Sequence, residues 1–244
     1  HMVPSEDWVD KEASLDHLSW RNAQYPGYDL LMPVTGADDQ IVVDYGCGPG
    51  NDLLGFGYFS RPKKLIGVDV SKNALASSEK RLKLHNIKAD LIHINEDKNE
   101  IPIDSNTVDL VHSSGVLHHV QNLEIALREI HRILKSGGRF QVMVYNYYSL
   151  WVHLYTAYVH QIERGRYSHL PLHEAFKRTT DGEACPISNY YVPDDFLTLV
   201  NSIGFEGEFK GASIALTELK LLPKRFEAIQ SKRLSKEHRD FLSL

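Results

Sequence analysis

The sequence predicts an α/β fold built on a mostly parallel sheet with helices on both faces. Three observations carry this reading. Ile41-Val42-Val43 is an apolar run that ends on Asp44, is followed by glycines at alternate positions, and leads into a helical segment near Asp52. Strand, glycine turn and helix in that order open a βα unit. The alternation then repeats: the strand-like Lys64–Val70 precedes a helical stretch at 72–86, and Val108–Val111 precedes a second at 123–134. Finally, acids stand at the ends of the first two strands, Asp44 and Asp69, where open α/β sheets place their ligands.

Composition bounds the functional classes. The chain has 244 residues, 42% hydrophobic and 24% charged, enough for one domain with an insertion. No apolar run approaches the roughly 18 residues of a membrane span, and no secretory signal is present. Cys47 and Cys185 form no C-x-x-C pair, which suggests reduced thiols and a cytoplasmic location. The net charge of −5 is uneven: seven Lys/Arg against four Asp/Glu from Glu218 onward make the tail +3 and the rest −8. That is too weak for a nucleic-acid footprint and reads as a solvated terminal helix.

In chain order, residues 3–40 form an acidic cap segment carrying Trp8, Trp20, Arg21, Tyr25 and Tyr28, with a short helix broken by Pro26-Gly27. The core spans 41–146. Its turn reads Asp44-Tyr45-Gly46-Cys47-Gly48-Pro49-Gly50, not the G-x-G-x-x-G of a pyrophosphate site. A carboxylate before the first glycine repels a pyrophosphate but accepts hydrogen bonds from an ammonium or ordered water. Asp69 lies 25 residues beyond Asp44, placed to accept from two ribose hydroxyls. Ser71 is the expected N-cap of the helix over 72–86. Ala89–Ile94 alternates as a third strand. The fourth runs into His112-Ser113-Ser114-Gly115-Val116-Leu117-His118-His119, and Asn122 is the expected cap of the next helix. Gly137-Gly138 is expected to end that helix, with a fifth strand over Arg139–Tyr145.

Asp44 with its glycine turn, Asp69, the acidic stretch Asn95-Glu96-Asp97-Lys98, the Leu117-His118-His119 run and the Leu134-Lys135-Ser136-Gly137-Gly138 turn occur in this order across 41–145. Together they resemble the class I S-adenosylmethionine-dependent methyltransferases, in particular the small-molecule type that includes the ubiquinone and menaquinone group. The resemblance implies a Rossmann-like sheet of seven strands, the last antiparallel and supplied by a hairpin at Phe205–Phe209 and Ala212–Leu216. It implies S-adenosyl-L-methionine as cofactor, held by Gly46, Cys47, Gly48 and Gly50 of the turn, by Asp69 with Val70, and by Ser113 and Ser114 on the methionine side. Asp97, with Glu96 as competitor, would accept from the adenine amino group, and the Lys98 N–H would meet the ring. Arg21 would meet the methionine carboxylate and Tyr25 would close the pocket. His119 is the candidate base or acceptor contact, because it follows the strand where the methyl points.

Residues 147–192 are expected to be a substrate-side insertion, rich in Tyr and His and carrying an amphipathic helix over 149–163. Such a helix suits acceptor contact, a protein partner or a membrane surface. No H-E-x-x-H pair occurs, and packing or substrate contact is the expected role of these histidines, so no metal site is expected. Residues 193–244 complete the fold, starting with a proline-opened helix, and end without a clear cap, as in a domain cut from a longer protein. The leading expectation is methyl transfer to a small-molecule acceptor, a sugar or other biosynthetic intermediate. A non-catalytic cofactor-binding or partner-docking domain is the alternative, and an NAD-dependent oxidoreductase a more distant one.

Overall fold

The computed structural model describes residues 9–95 and 100–244. Five parallel strands form the sheet in the order β3-β2-β1-β4-β5. They are β1 Ile41–Tyr45, β2 Lys64–Asp69, β3 Asp90–His93, β4 Val108–Ser114 and β5 Leu134–Met143. Val43 pairs with Ile66 on one side and Val111 on the other, so the order reverses between β1 and β4. That reversal opens a crevice at the carboxyl ends of those two strands.

Side chains alternate across the sheet and divide the core in two. Val42, Leu65 and Leu110 face Leu18 of α1 (Lys11–Ala23), Leu53, Leu54 and Phe56 of α3 (Asn51–Phe59), and Leu75 and Leu82 of α4 (Lys72–Leu84). The short α2 (Tyr28–Leu31) follows α1 in the cap. Val43, Ile66, Val68 and Val111 face the other way, onto α5 (Leu123–Ile133). The α5 stripe of Ala126, Leu127, Ile130 and Ile133 is fully buried, at roughly 1.5–3 kcal/mol for each large side chain. Leu127→Ala would open a cavity here and cost about 2–5 kcal/mol. Ser71 caps α4 as expected, accepting from the Ala74 amide at 3.2 Å. Asn122 precedes α5 but makes no side-chain cap bond.

Several expectations are corrected. Helix α5 stops at Ile133, before the glycine pair. Val108 pairs with Leu134 and Leu110 already with Arg139, so residues 135–138 bulge out of the ladder. The helix over Trp151–Glu163 is a π-helix, with the Arg164 amide bonded to the Val159 carbonyl five residues back. It is not amphipathic: Val152, His153, Leu154, Thr156, Ala157, Tyr158, Val159 and His160 are all buried. After the short bridge of β6 (Tyr145–Asn146) with β7 (Tyr190–Tyr191), the later helices supply that cover. α6 (Leu172–Thr180), α9 (Lys224–Gln230) and α10 (Lys236–Ser243) pack around the π-helix and cover most of its apolar surface.

The expected closing hairpin is absent among the described residues. Phe205–Phe209 and Ala212–Ala215 run as irregular chain, and Leu216 starts α8 (Leu216–Leu219). Glu206, Glu208 and Lys210 are exposed, Gly207 donates to the Asn201 side chain at 2.8 Å, and Gly211 has φ 143°. Charged residues and two glycines lack the cross-strand packing that stabilises a hairpin. α7 (Pro193–Ile203), opened by Pro193 and stopped by Gly204 at φ 119°, does complete the sheet's second face. The segment from 193 onward is therefore divided between sheet and insertion. No helix among the described residues is long and apolar enough to cross a membrane.

Candidate functional site

The crevice between β1 and β4 is filled from below by a polar cluster. Asp44, at the end of β1, Asp52, in the first turn of α3, and His112, inside β4, are all buried. Arg21 enters from α1 and donates to both Asp52 oxygens, at 2.6 and 3.0 Å. The His112 ring meets Phe56 edge-on and accepts at Nδ1 from the Gln141 amide at 2.6 Å; that amide also donates to the Pro33 carbonyl at 2.8 Å. With Nδ1 accepting, Nε2 carries the proton and faces Asp52 Oδ2 at 3.3 Å.

Burial alone would raise the pKa of Asp52, but Arg21 and then His112 hold it well below the usual carboxylate range. Asp44 goes the other way. Burial pushes it up to about 7, against the pull of His112. Its Oδ2 has no hydrogen-bond partner among the described residues. A buried, half-satisfied acid of this kind is poised to meet a cation.

The glycine turn sits directly above. Gly46 has φ 77°, and a Cβ there would fall inside the Val116 side chain, so no other residue fits. At Gly48 a Cβ would meet nothing within 4 Å. The Gly48 amide donates to Asp69 Oδ2 at 2.8 Å, and the Ser71 amide to Asp69 Oδ1 at 2.7 Å. Each oxygen keeps a lone pair for another donor. Val70 beside it is exposed, while Cys47 is buried against the core, and burial raises its thiol pKa. Gly50 starts α3 at φ 81°.

Ser114 and Ser113 part company. Ser114 accepts from Arg21 at 3.3 Å and is hydrogen-bonded to the Tyr28 hydroxyl. Ser113 is fully buried and donates to the Tyr45 carbonyl at 3.1 Å, a tie between strands. Tyr25 lines the cleft with Arg21, Tyr28, Ser114, Tyr145 and Trp151. The cap is stitched down by the buried Arg81, which donates to Ser14 Oγ at 2.9 Å and to its carbonyl at 2.8 Å. Asp97, Lys98 and Glu96 lie outside the described residues, as does Trp8.

His119 stands apart from this cluster, on the turn after β4. Its Nδ1 donates to the Ile187 carbonyl at 2.7 Å and its Nε2 faces Asp181 Oδ1 at 3.9 Å. Neighbouring His118 is stacked on Tyr145 at 3.7 Å and burial pushes its pKa down to about 2. Asp52, His112, Gln141 and Asp181 were not singled out by the sequence reading. His112, directly after the apolar pair Leu110-Val111 of β4, was the one local signal.

Residues 43–142 match the family model of the methyltransferase domain. This part of the chain is similar to the class I S-adenosylmethionine-dependent methyltransferases. An uncharacterized methyltransferase of Schizosaccharomyces pombe is 31% identical over 53% of this chain and 48% of its own length. A demethylmenaquinone methyltransferase of Geobacillus stearothermophilus is 30% identical over 50% of each chain. Among solved structures, an S-adenosylmethionine-dependent methyltransferase from Mesorhizobium loti shares the fold, with TM-score 0.56 and 23% identity over 75% of this chain and 82% of that one. The chain spans about half the length of the curated relatives it matches. The methyltransferase domain covers β1 to β5, so the cap, the insertion and the terminal helices lie outside the matched residues.

Proposed function

We propose that this chain transfers a methyl group from S-adenosyl-L-methionine to a small-molecule acceptor held between the cap and the insertion. The observation that carries the reading is the pairing of an unpartnered Asp44 oxygen with the open side of Gly48, above an acid, Asp69, that retains free lone pairs. Those residues suit an adenosyl cofactor bearing an ammonium group. When bound, that cofactor supplies an electrophilic methyl carbon on a sulfonium.

The remaining work falls to the chain. Asp69 accepts from the ribose hydroxyls, and Gly46, Cys47, Gly48 and Gly50 shape the turn around them. Asp44 accepts from the ammonium, and its proton leaves when the positive charge arrives. Arg21, neutralised in part by Asp52, and Ser114 serve the methionine carboxylate, with Tyr25 closing above. Asp97 and Lys98 are assigned the adenine. Because the methyl carbon is already activated, catalysis is in-line positioning in a water-poor pocket, with proton removal for a hydroxyl acceptor. Tyr145 and Trp151 provide stacking and hydrogen-bonding surface, and His119 serves the acceptor side. Labelled methyl transfer into a panel of sugars, quinols and other biosynthetic intermediates tests the acceptor class. Transfer to none of these, with cofactor bound, refutes the small-molecule reading.

A further inference from the structure

His119 and two residues of the loop after α6, Asp181 and Cys185, converge from distant parts of the chain. One donor atom from each lies within 4.8 Å of the other two. Asp181 is held by its neighbours: Oδ1 accepts from the Tyr145 hydroxyl at 3.1 Å, and Oδ2 from the Ser188 hydroxyl at 2.6 Å. His119 is held by the Ile187 carbonyl, which accepts from Nδ1. In the neutral ring Nε2 then carries the lone pair, and a carboxylate oxygen of Asp181 lies 3.9 Å from it. Two acceptors face each other across a gap too long for a hydrogen bond, an arrangement completed by a cation between them. Cys185 Sγ lies on the Nδ1 side of the ring, 3.9 Å from Nδ1 and 3.2 Å from the Ile187 carbonyl, and is the third potential donor of the group.

We infer that His119, Asp181 and Cys185 form a zinc site. Mixed nitrogen, oxygen and sulfur donors suit zinc, and three protein ligands leave a fourth position open. Zinc–ligand bonds of about 2.0–2.3 Å require the three donors to draw in by about an ångström. The hydrogen bonds from Tyr145 and Ser188 to Asp181, and from His119 to Ile187, are the outer contacts that orient metal ligands. On binding, the Cys185 S–H bond breaks, its electron pair goes to the metal and the proton goes to solvent. The site is reachable, with the His119 and Asp181 side chains 35% and 20% exposed. The other cluster of this kind among the described residues, Asp44, Asp52 and His112, already holds a cation of its own, Arg21.

Tyr145 and Thr180, in contact with or next to Asp181, line the cleft at the carboxyl end of the sheet. The open position would thus take an anionic oxygen or sulfur of the acceptor; this role rests on the methyl-transfer reading, whereas metal binding does not. The test is cobalt(II) titration of the full chain after chelator treatment. The expected result is one equivalent bound, with the visible bands of a four-coordinate ion and a thiolate-to-cobalt band in the near ultraviolet. Cys185→Ser should remove the thiolate band, and His119→Gln or Asp181→Asn should weaken binding at least tenfold, each with unchanged circular dichroism. Zinc should displace the cobalt. Absence of cobalt binding, or equal binding by all three variants, overturns the site. Calorimetry with S-adenosylhomocysteine on the same samples separates the two proposals: cofactor binding without cobalt binding overturns the metal site alone.

Discussion

Asp52 grips Arg21 through both carboxylate oxygens, at 2.6 and 3.0 Å, and so ties the cap to the first turn of the helix that follows the glycine loop. The side chains are 11% and 21% exposed, which makes this a mostly desolvated pair. Losing one partner of such a pair strands the other charge. Arg21→Ala is expected to cost about 3 kcal/mol in denaturant unfolding, at the lower end for buried pairs because Arg21 retains some solvent. Combining it with Asp52→Asn should cost less than the sum of the two. A loss below about 0.5 kcal/mol for Arg21→Ala, as at an ordinary surface site, would remove the cap anchor.

Asp44 makes the opposite contribution. Its pKa stands near 7, against 3.8 for an ordinary aspartate, because burial disfavours the charge. The folded chain thus keeps a proton that the unfolded chain releases, and this group's contribution to stability falls as pH rises from about 4 to 7. Asp44→Asn removes that decline. The variant should exceed the parent in stability at pH 8 by about 1–3 kcal/mol, the cost of a poorly satisfied buried group, and by less at pH 4. Denaturant titrations of both proteins at the two pH values check this. A pH-independent difference would contradict it.

The terminal helix docks through a histidine pair. His153 Nδ1 and His238 Nδ1 lie 2.8 Å apart, Phe241 stacks on His153 at 4.1 Å, and Tyr147 donates to Glu237 beside them. Burial, and then His238, push the pKa of His153 down to about 4, and burial lowers His238 as well. Both are neutral when docked, so their contribution is present above the free value of 6.5 and lost as pH falls from there toward 4. Two protonated nitrogens cannot share that hydrogen bond. Amide exchange in residues 236–243, corrected for intrinsic rates, should be faster at pH 5 than at pH 7.5. Equal protection at both would show that the pair does not hold the helix.

The elements legible in the sequence were those with strong local rules. β1 with its glycine turn, Ser71 at the start of α4, the α5 stripe and the Pro193 opening of α7 are each specified within a few residues. What failed depended on distant partners. Phe205–Phe209 alternates like a strand, but pairing needs a neighbour, and Gly207 is bonded back to Asn201 instead. The apolar stripe of 149–163 was visible, yet neither its wide helical geometry nor its near-complete burial was, since α6, α9 and α10 supply the cover. The glycine turn and Asp69 stood out by their spacing, and the fold joins them through the Gly48 amide. The cluster of Arg21, Asp52 and His112 joins three segments that no spacing rule connects, and the same holds for His119, Asp181 and Cys185.

The central claim is that the turn after β1 and the acid after β2 form one cofactor site. Asp69 already accepts two backbone amides, from Gly48 and Ser71, and has lone pairs left for a ribose. Each charge-assisted bond it would add is worth about 1.5–3 kcal/mol. Titration calorimetry with S-adenosylhomocysteine on the parent chain and on Asp69→Ala tests this most directly, with circular dichroism to establish that the variant is folded. One molecule bound per parent chain, and affinity at least about tenfold weaker in Asp69→Ala, is the predicted result. No binding by the parent, or unchanged affinity in the folded variant, would contradict it.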